Sequence, residues 1–152
     1  MEFSCNKRGE ILAIGIELSG PYRKLEQMGD LWQTFKERVE EIPNVLNLER
    51  AIGVVHGREK NFTYFAAIEV ENLGDVPSGM IPIIIPARTY AVFTHKGKQE
   101  KFNETVVTAK NLLVQSSYKI DHNTFWLEIY DDHRFQPDST NSECDVCFPL
   151  VY

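Results

Sequence analysis

Apolar positions along the chain fall into a short series of elements that then repeats. Ile11, Leu12, Ile14, Ile16 and Leu18 predict a strand over 10–18, with the even-numbered residues on one face and a break at Gly20-Pro21. Asp30 followed by Gln33 has the spacing of a capping box. Beyond it Leu31, Trp32, Phe35, Val39 and Ile42 recur at helical spacing, with Lys36, Glu37, Glu40 and Glu41 opposite, and Pro43-Asn44 ends the helix. Residues 48–56 and 62–70 read as two strands of a hairpin turning at 57–61.

After a loop over 71–79 the pattern restarts. A strand over 88–95 ends at Gly97, and a helix over 103–115 turns Val106, Ala109, Leu112 and Leu113 inward. Strands follow over 124–130 and 143–151, separated by a polar loop over 131–142. The order strand-helix-strand-strand, twice, predicts an α+β fold of two pseudo-symmetric modules: an antiparallel sheet with two main helices. It forms a single domain over 1–152, with halves of about 10–72 and 86–152. A ferredoxin-like arrangement uses the same elements and stays open on element count alone.

Composition narrows the function classes. A chain of 152 residues buries enough surface to fold without a disulfide or metal staple, and 43% hydrophobic with 25% charged residues is ordinary for a globular domain. The net charge of −6, with no basic stripe, argues against direct nucleic-acid binding. The longest apolar run, 80–87, contains Pro82 and Pro86 and is far too short for a membrane helix. Residues 1–8 lack the apolar core of a signal peptide, and an odd count of 3 cysteines fits a reduced, cytoplasmic setting.

Glu128 is the residue that departs most from its surroundings. It lies in Phe125-Trp126-Leu127-Glu128-Ile129-Tyr130, where alternation puts Phe125, Leu127 and Ile129 on one face and Trp126, Glu128 and Tyr130 on the other. That second face is either a solvated surface or the wall of a cavity in which a carboxylate between aromatic rings attracts an organic cation. Tyr64, on a strand face shared with Phe62, Ala66 and Ile68, is a partner for it, and Trp32 and Phe35 on the first helix close the pocket or simply fill the core. Cys144-Asp145-Val146-Cys147 is a lone C-x-x-C on a predicted strand, without the second pair a structural zinc needs. Tyr130-Asp131-Asp132-His133 reads as a polar turn, and His56, His95 and His122 have no nucleophile partner in sequence. No phosphate-loop, dinucleotide or nucleophile-elbow motif is present, so the residues predict no catalytic group, metal or cofactor.

Spread over nearly the whole chain, a set of segments resembles the GyrI-like small-molecule-binding domain, also called the AraC-type effector-binding domain. They include Leu31-Trp32-Gln33-Thr34-Phe35, Ala51-Ile52-Gly53-Val54, residues 62–70, residues 85–97, Gln115-Ser116-Ser117-Tyr118, Leu127-Glu128-Ile129-Tyr130-Asp131 and Val146-Cys147-Phe148-Pro149-Leu150. The resemblance implies two modules related by a pseudo-two-fold and a groove between them that binds small molecules, often lipophilic cations. It implies that Glu128 is the pocket acid, with Trp32, Phe35 and Tyr64 as wall residues beside Trp126 and Tyr130. The chain departs from the family pattern at Leu112-Leu113-Val114, where Trp-Leu-Pro is common, and at Cys147, where a pocket tyrosine is common.

The expected function is that of a stand-alone binding protein for amphipathic, cationic small molecules, without a DNA-binding helix pair. Its role would be sensing, sequestration or transcription regulation in multidrug binding. Two alternatives come with the resemblance: a hydrolase of electrophilic toxins using Glu128, and a gyrase-inhibitor-like module whose acidic surface meets a protein partner.

Overall fold

The repeat read from the sequence is present, with one further strand attached to each half. In the computed structural model, which describes residues 1–151, the strands are β1 (Ser4–Arg8), β2 (Ile11–Pro21), β3 (Arg50–Gly57), β4 (Asn61–Glu69), β5 (Ile81–Ile85), β6 (Arg88–Lys96), β7 (Trp126–Asp131) and β8 (Glu143–Pro149). The helices are α1 (Met28–Arg38) and α2 (Phe102–Val114). All eight strands form one antiparallel sheet in the order β1-β6-β8-β7-β3-β4-β2-β5. The order is palindromic about the β7–β3 seam: β8 and β4, then β6 and β2, then β1 and β5 occupy matching places. The fold is therefore the predicted α+β arrangement of two pseudo-symmetric modules.

Each helix covers one half of the same face. Leu31 and Phe35 of α1 pack on Ile14, Ala66 and Ile68 from β2 and β4. Val106, Ala109 and Leu113 of α2 pack on Ala91, Phe93, Val146 and Phe148 from β6 and β8. On the opposite face, residues from seven strands, among them Ile11, Ile52, Phe65, Ile85, Tyr90, Leu127 and Cys147, meet in a single cluster, which requires the sheet to curl around that side. Burying each large side chain in these clusters contributes about 1.5–3 kcal/mol. The two helices leave the β3–β7 seam uncovered between them.

Five local expectations change. The strand over 10–18 continues through Gly20 to Pro21, because β5 pairs only with Ile11–Gly15 and leaves the far end of β2 open on that side, where a residue without an N–H is tolerated. The helix starts earlier than Asp30: a 3-10 turn over Tyr22–Gln27 runs directly into α1, and Gln33 Nε2 donates to Glu37 Oε1 at 3.0 Å instead of closing a capping box. The run 80–87 contains β5, an edge strand that accepts Pro82 while burying Ile83 and Ile85. Residues 4–8, polar and without alternation, nevertheless form β1 on the other edge by pairing with β6. The second helix, α2, ends at Val114 and leaves Leu112 only partly buried.

Candidate functional site

Three features of the β3–β7 seam build a cavity over it. First, β3 and β7 pair so that Ala51 faces Tyr130, Gly53 faces Glu128 and Val55 faces Trp126. Second, alternation along β7 points Trp126, Glu128 and Tyr130 to the helix side, while Leu127 and Ile129 enter the opposite core. Third, Gly53 presents no side chain beside Glu128. A Cβ there would lie 2.4 Å from Tyr64 Oη and 2.8 Å from Glu128 Oε1. The bare backbone at Gly53 is what lets Tyr64 reach across β3 from β4.

The resulting cavity has a volume of about 410 Å³, within the range of small-molecule sites. Its wall is largely aromatic, with Trp32, Tyr64, Phe102, Tyr130 and Phe135 around the carboxylate of Glu128. Tyr64 Oη and Tyr130 Oη each donate to the same oxygen, Glu128 Oε1, at 2.7 Å. Trp32 Nε1 donates to Tyr64 Oη at 3.2 Å, and Gln99 Nε2 donates to Tyr130 Oη at 3.3 Å. Trp32 stands edge-on to both tyrosines, with ring centroids 6.2 Å from Tyr64 and 5.6 Å from Tyr130. The second oxygen, Oε2, takes no hydrogen bond from any described residue, and no lysine, arginine or histidine among them forms an ion pair with Glu128.

Glu128 is only 7% exposed. Burial pushes its carboxyl above the ordinary value, and the two phenol hydrogen bonds partly offset this by favouring the charged form. Burial, and then the charge of Glu128, push Tyr64 and Tyr130 well above the usual phenol range, so both remain donors. The arrangement is a carboxylate with one oxygen held by two phenols and the other without a hydrogen bond from the described residues, in a largely aromatic wall that also carries Lys36 and Asp132, neither of them paired with Glu128.

The expected site residues separate into two groups. Glu128, Tyr64, Tyr130 and Trp32 meet in the cavity. Phe35 is 2% exposed and packs edge-on against Trp32 from the core side, at 5.8 Å between centroids, without lining the cavity. Trp126 lies tilted against Phe148 at 5.3 Å and lines a separate cleft at the other end of the seam. Sequence reasoning missed Gly53 as a structural element of the site, and missed Gln99, Phe102 and Phe135 on its wall. Phe102 and Phe135 are lone aromatics in polar stretches, and that isolation is a signal that marks them.

The remaining sequence candidates have structural partners. Asp131 bonds Arg50 at 2.6 Å and Arg134 at 3.2 Å, and Asp145 is bound by the same Arg134. Cys144 faces Gln99, whereas Cys147 enters the opposite core, and burial pushes each thiol up to about 12. Because Cys147 points away from the cavity, its replacement of a family tyrosine does not remove an aromatic from this wall. No group of three or more metal-binding side chains occurs among the described residues, and no described helix is long and apolar enough to cross a membrane.

Comparison with known proteins places this geometry in a family. A transcriptional regulator of Pseudomonas aeruginosa, BrlR, is 30% identical over 126 residues, which is 82% of this chain and 47% of BrlR. The chain thus spans about half the length of that curated relative. A solved structure of SAV2435 bound to tetraphenylphosphonium superposes with a TM-score of 0.82 at 15% identity, covering 99% of this chain and 94% of that one. The C-terminal domain of EcmrR superposes with a TM-score of 0.74 at 19% identity, covering 99% of this chain and 97% of that domain. At these identities the structural likenesses establish the fold. The family model of the GyrI-like small molecule binding domain matches residues 1–151, and the chain belongs to that family.

Proposed function

We propose that the cavity over the β3–β7 seam binds a lipophilic cation, with Glu128 as its counter-charge and Trp32, Tyr64 and Tyr130 as the wall that receives its apolar part. The observation that carries this reading is the buried carboxylate with one oxygen committed to two phenols and the other without a hydrogen-bond partner among the described residues. SAV2435, which shares the fold, was solved with a phosphonium cation bound, which supports the reading. The role we propose is sensing or sequestration of such compounds, with transcription regulation as the setting suggested by BrlR.

Calorimetric titration with tetraphenylphosphonium and its isosteric anion tetraphenylborate, on wild type and Glu128→Gln, tests it. Loss of one charge-assisted contact, about 1.5–3 kcal/mol, predicts a roughly 10- to 150-fold weaker cation affinity in the variant. Tetraphenylborate is expected not to bind. Equal affinity for both ions, or for both proteins, overturns the proposal.

A further inference from the structure

The seam has a second opening at its other end, and its chemistry is the reverse of the first. This cleft, about 200 Å³, is lined by Tyr22, Arg58, Lys110, His122, Trp126 and Phe148, among others. Lys110 Nζ lies 5.6 Å from the centroid of Trp126 and 6.0 Å from that of Phe148. The residue as a whole is exposed, yet its ammonium end lies over the two rings, and partial burial lowers its pKa. None of the described carboxylates forms an ion pair with it. Arg58, an exposed residue, likewise forms no ion pair with a described carboxylate: its side chain meets Asn61, Thr63 Oγ1 at 2.8 Å and His56 Nδ1 at 3.1 Å. Asp121, the acid among the described lining residues, is already paired with Arg88 at 2.8 Å.

Two cations that pair with no described carboxylate therefore line one cleft with Trp126 and Phe148, in a chain whose net charge is −6. A desolvated ammonium is costly unless a charge partner meets it, and cation–π contact offsets only part of that cost. We propose that this cleft is a binding site for a small aromatic anion, an aryl carboxylate or aryl phosphate. Its head group meets Lys110 and Arg58, and its ring lies against the Trp126 side of the cleft. The volume accommodates one ring with its head group and is below the range of drug-sized sites, so the bulky cations suited to the first cavity do not fit. The site is independent of the cation reading, since it shares no lining residue with that cavity.

The chain has 2 tryptophans, so Trp32→Phe leaves Trp126 as the sole tryptophan reporter. Titrations of that variant with phenyl phosphate, benzoate and inorganic phosphate at constant ionic strength test the site. A saturable change in Trp126 emission with either aryl anion is expected, weakened at least tenfold by Lys110→Met and also weakened by Arg58→Gln. Which aryl anion binds more tightly identifies the head group. Three results overturn the proposal: no saturable change with either aryl anion, affinity unchanged in both variants, or inorganic phosphate binding as tightly as phenyl phosphate.

Discussion

Gly53 lies directly across the β3–β7 ladder from Glu128, and the hydroxyl of Tyr64 occupies the space its missing side chain leaves. The site depends on this absence as much as on any side chain. Gly53→Ala is therefore expected to displace Tyr64 Oη, break its 2.7 Å bond to Glu128 and weaken cation binding. Both atoms that a Cβ would meet are buried and hydrogen-bonded, so neither can move away cheaply. A loss of binding together with a lowered Tm checks this; a variant with unchanged affinity shows that Tyr64 has another route to the carboxylate.

Glu128→Gln should make the ligand-free protein more stable while impairing it as a binder. Gln keeps an acceptor for both phenols and removes a buried charge. Because burial raises the folded pKa of Glu128, its favourable contribution is complete below the unfolded value and is lost as pH rises through the folded value. The Tm difference between variant and wild type should thus be small in acid and grow through that window. The gain is about 2–4 °C for each kcal/mol recovered. Thermal melts across pH check the sign.

Cation binding follows the opposite pH trend over the same window. If Glu128 is the counter-charge as proposed, affinity is expected to rise as pH passes its raised pKa, and binding below that point to release a proton. Calorimetry in buffers of different ionisation enthalpy measures that proton directly.

Tyr64→Phe and Tyr130→Phe each remove a hydrogen bond that favours the charged carboxylate. The Glu128 titration should move further upward in either variant, readable by carbon NMR of labelled glutamate. At a pH where Glu128 is ionised, each change costs about 1.5–3 kcal/mol of stability. In Tyr64→Phe, Trp32 Nε1 also loses its acceptor, so its fluorescence shifts.

Phe35 and Trp32 are neighbours on α1 with different duties. Phe35→Ala opens a hole in a fully packed core and should cost about 3–5 kcal/mol. Measured well below its Tm, the variant should retain most of its cation affinity. Trp32→Ala should show the reverse balance, a modest stability loss and a large loss of binding. Parallel denaturation and titration of both variants separate the two.

Much of this site is legible from period-two alternation, because a strand reports which residues share a face. It marks Glu128, Tyr130 and Tyr64. Alternation does not report what lies over that face, so it groups Trp126, on the same side as Glu128, with a cavity that Trp126 does not line. Helical spacing has the same limit: it put Trp32 and Phe35 on one apolar stripe but not at different depths. β1 and β5 escaped notice because edge strands need neither apolar alternation nor freedom from proline. Gln99 and Phe135 come from connections whose paths depend on tertiary contacts, such as the Phe135 ring against Tyr130 at 4.7 Å.

The seam also joins parts of the chain that are far apart in sequence. Glu128 and Tyr130 come from the second half, whereas Gly53, Tyr64 and Trp32 come from the first, and the outer strand β1 crosses over to close the second half while β5 closes the first. The second half alone makes only the Tyr130 bond to the carboxylate, the Tyr64 bond needs both halves, and each half without the other's flanking chain lacks its outer strand. The site therefore exists only once the chain's longest loops have closed, at the full entropic cost of that closure. A molecule bound across the seam adds its binding free energy to the cohesion between the halves. In this fold a ligand seated over Gly53 and Glu128 would therefore tighten the join between the two modules at the β3–β7 ladder.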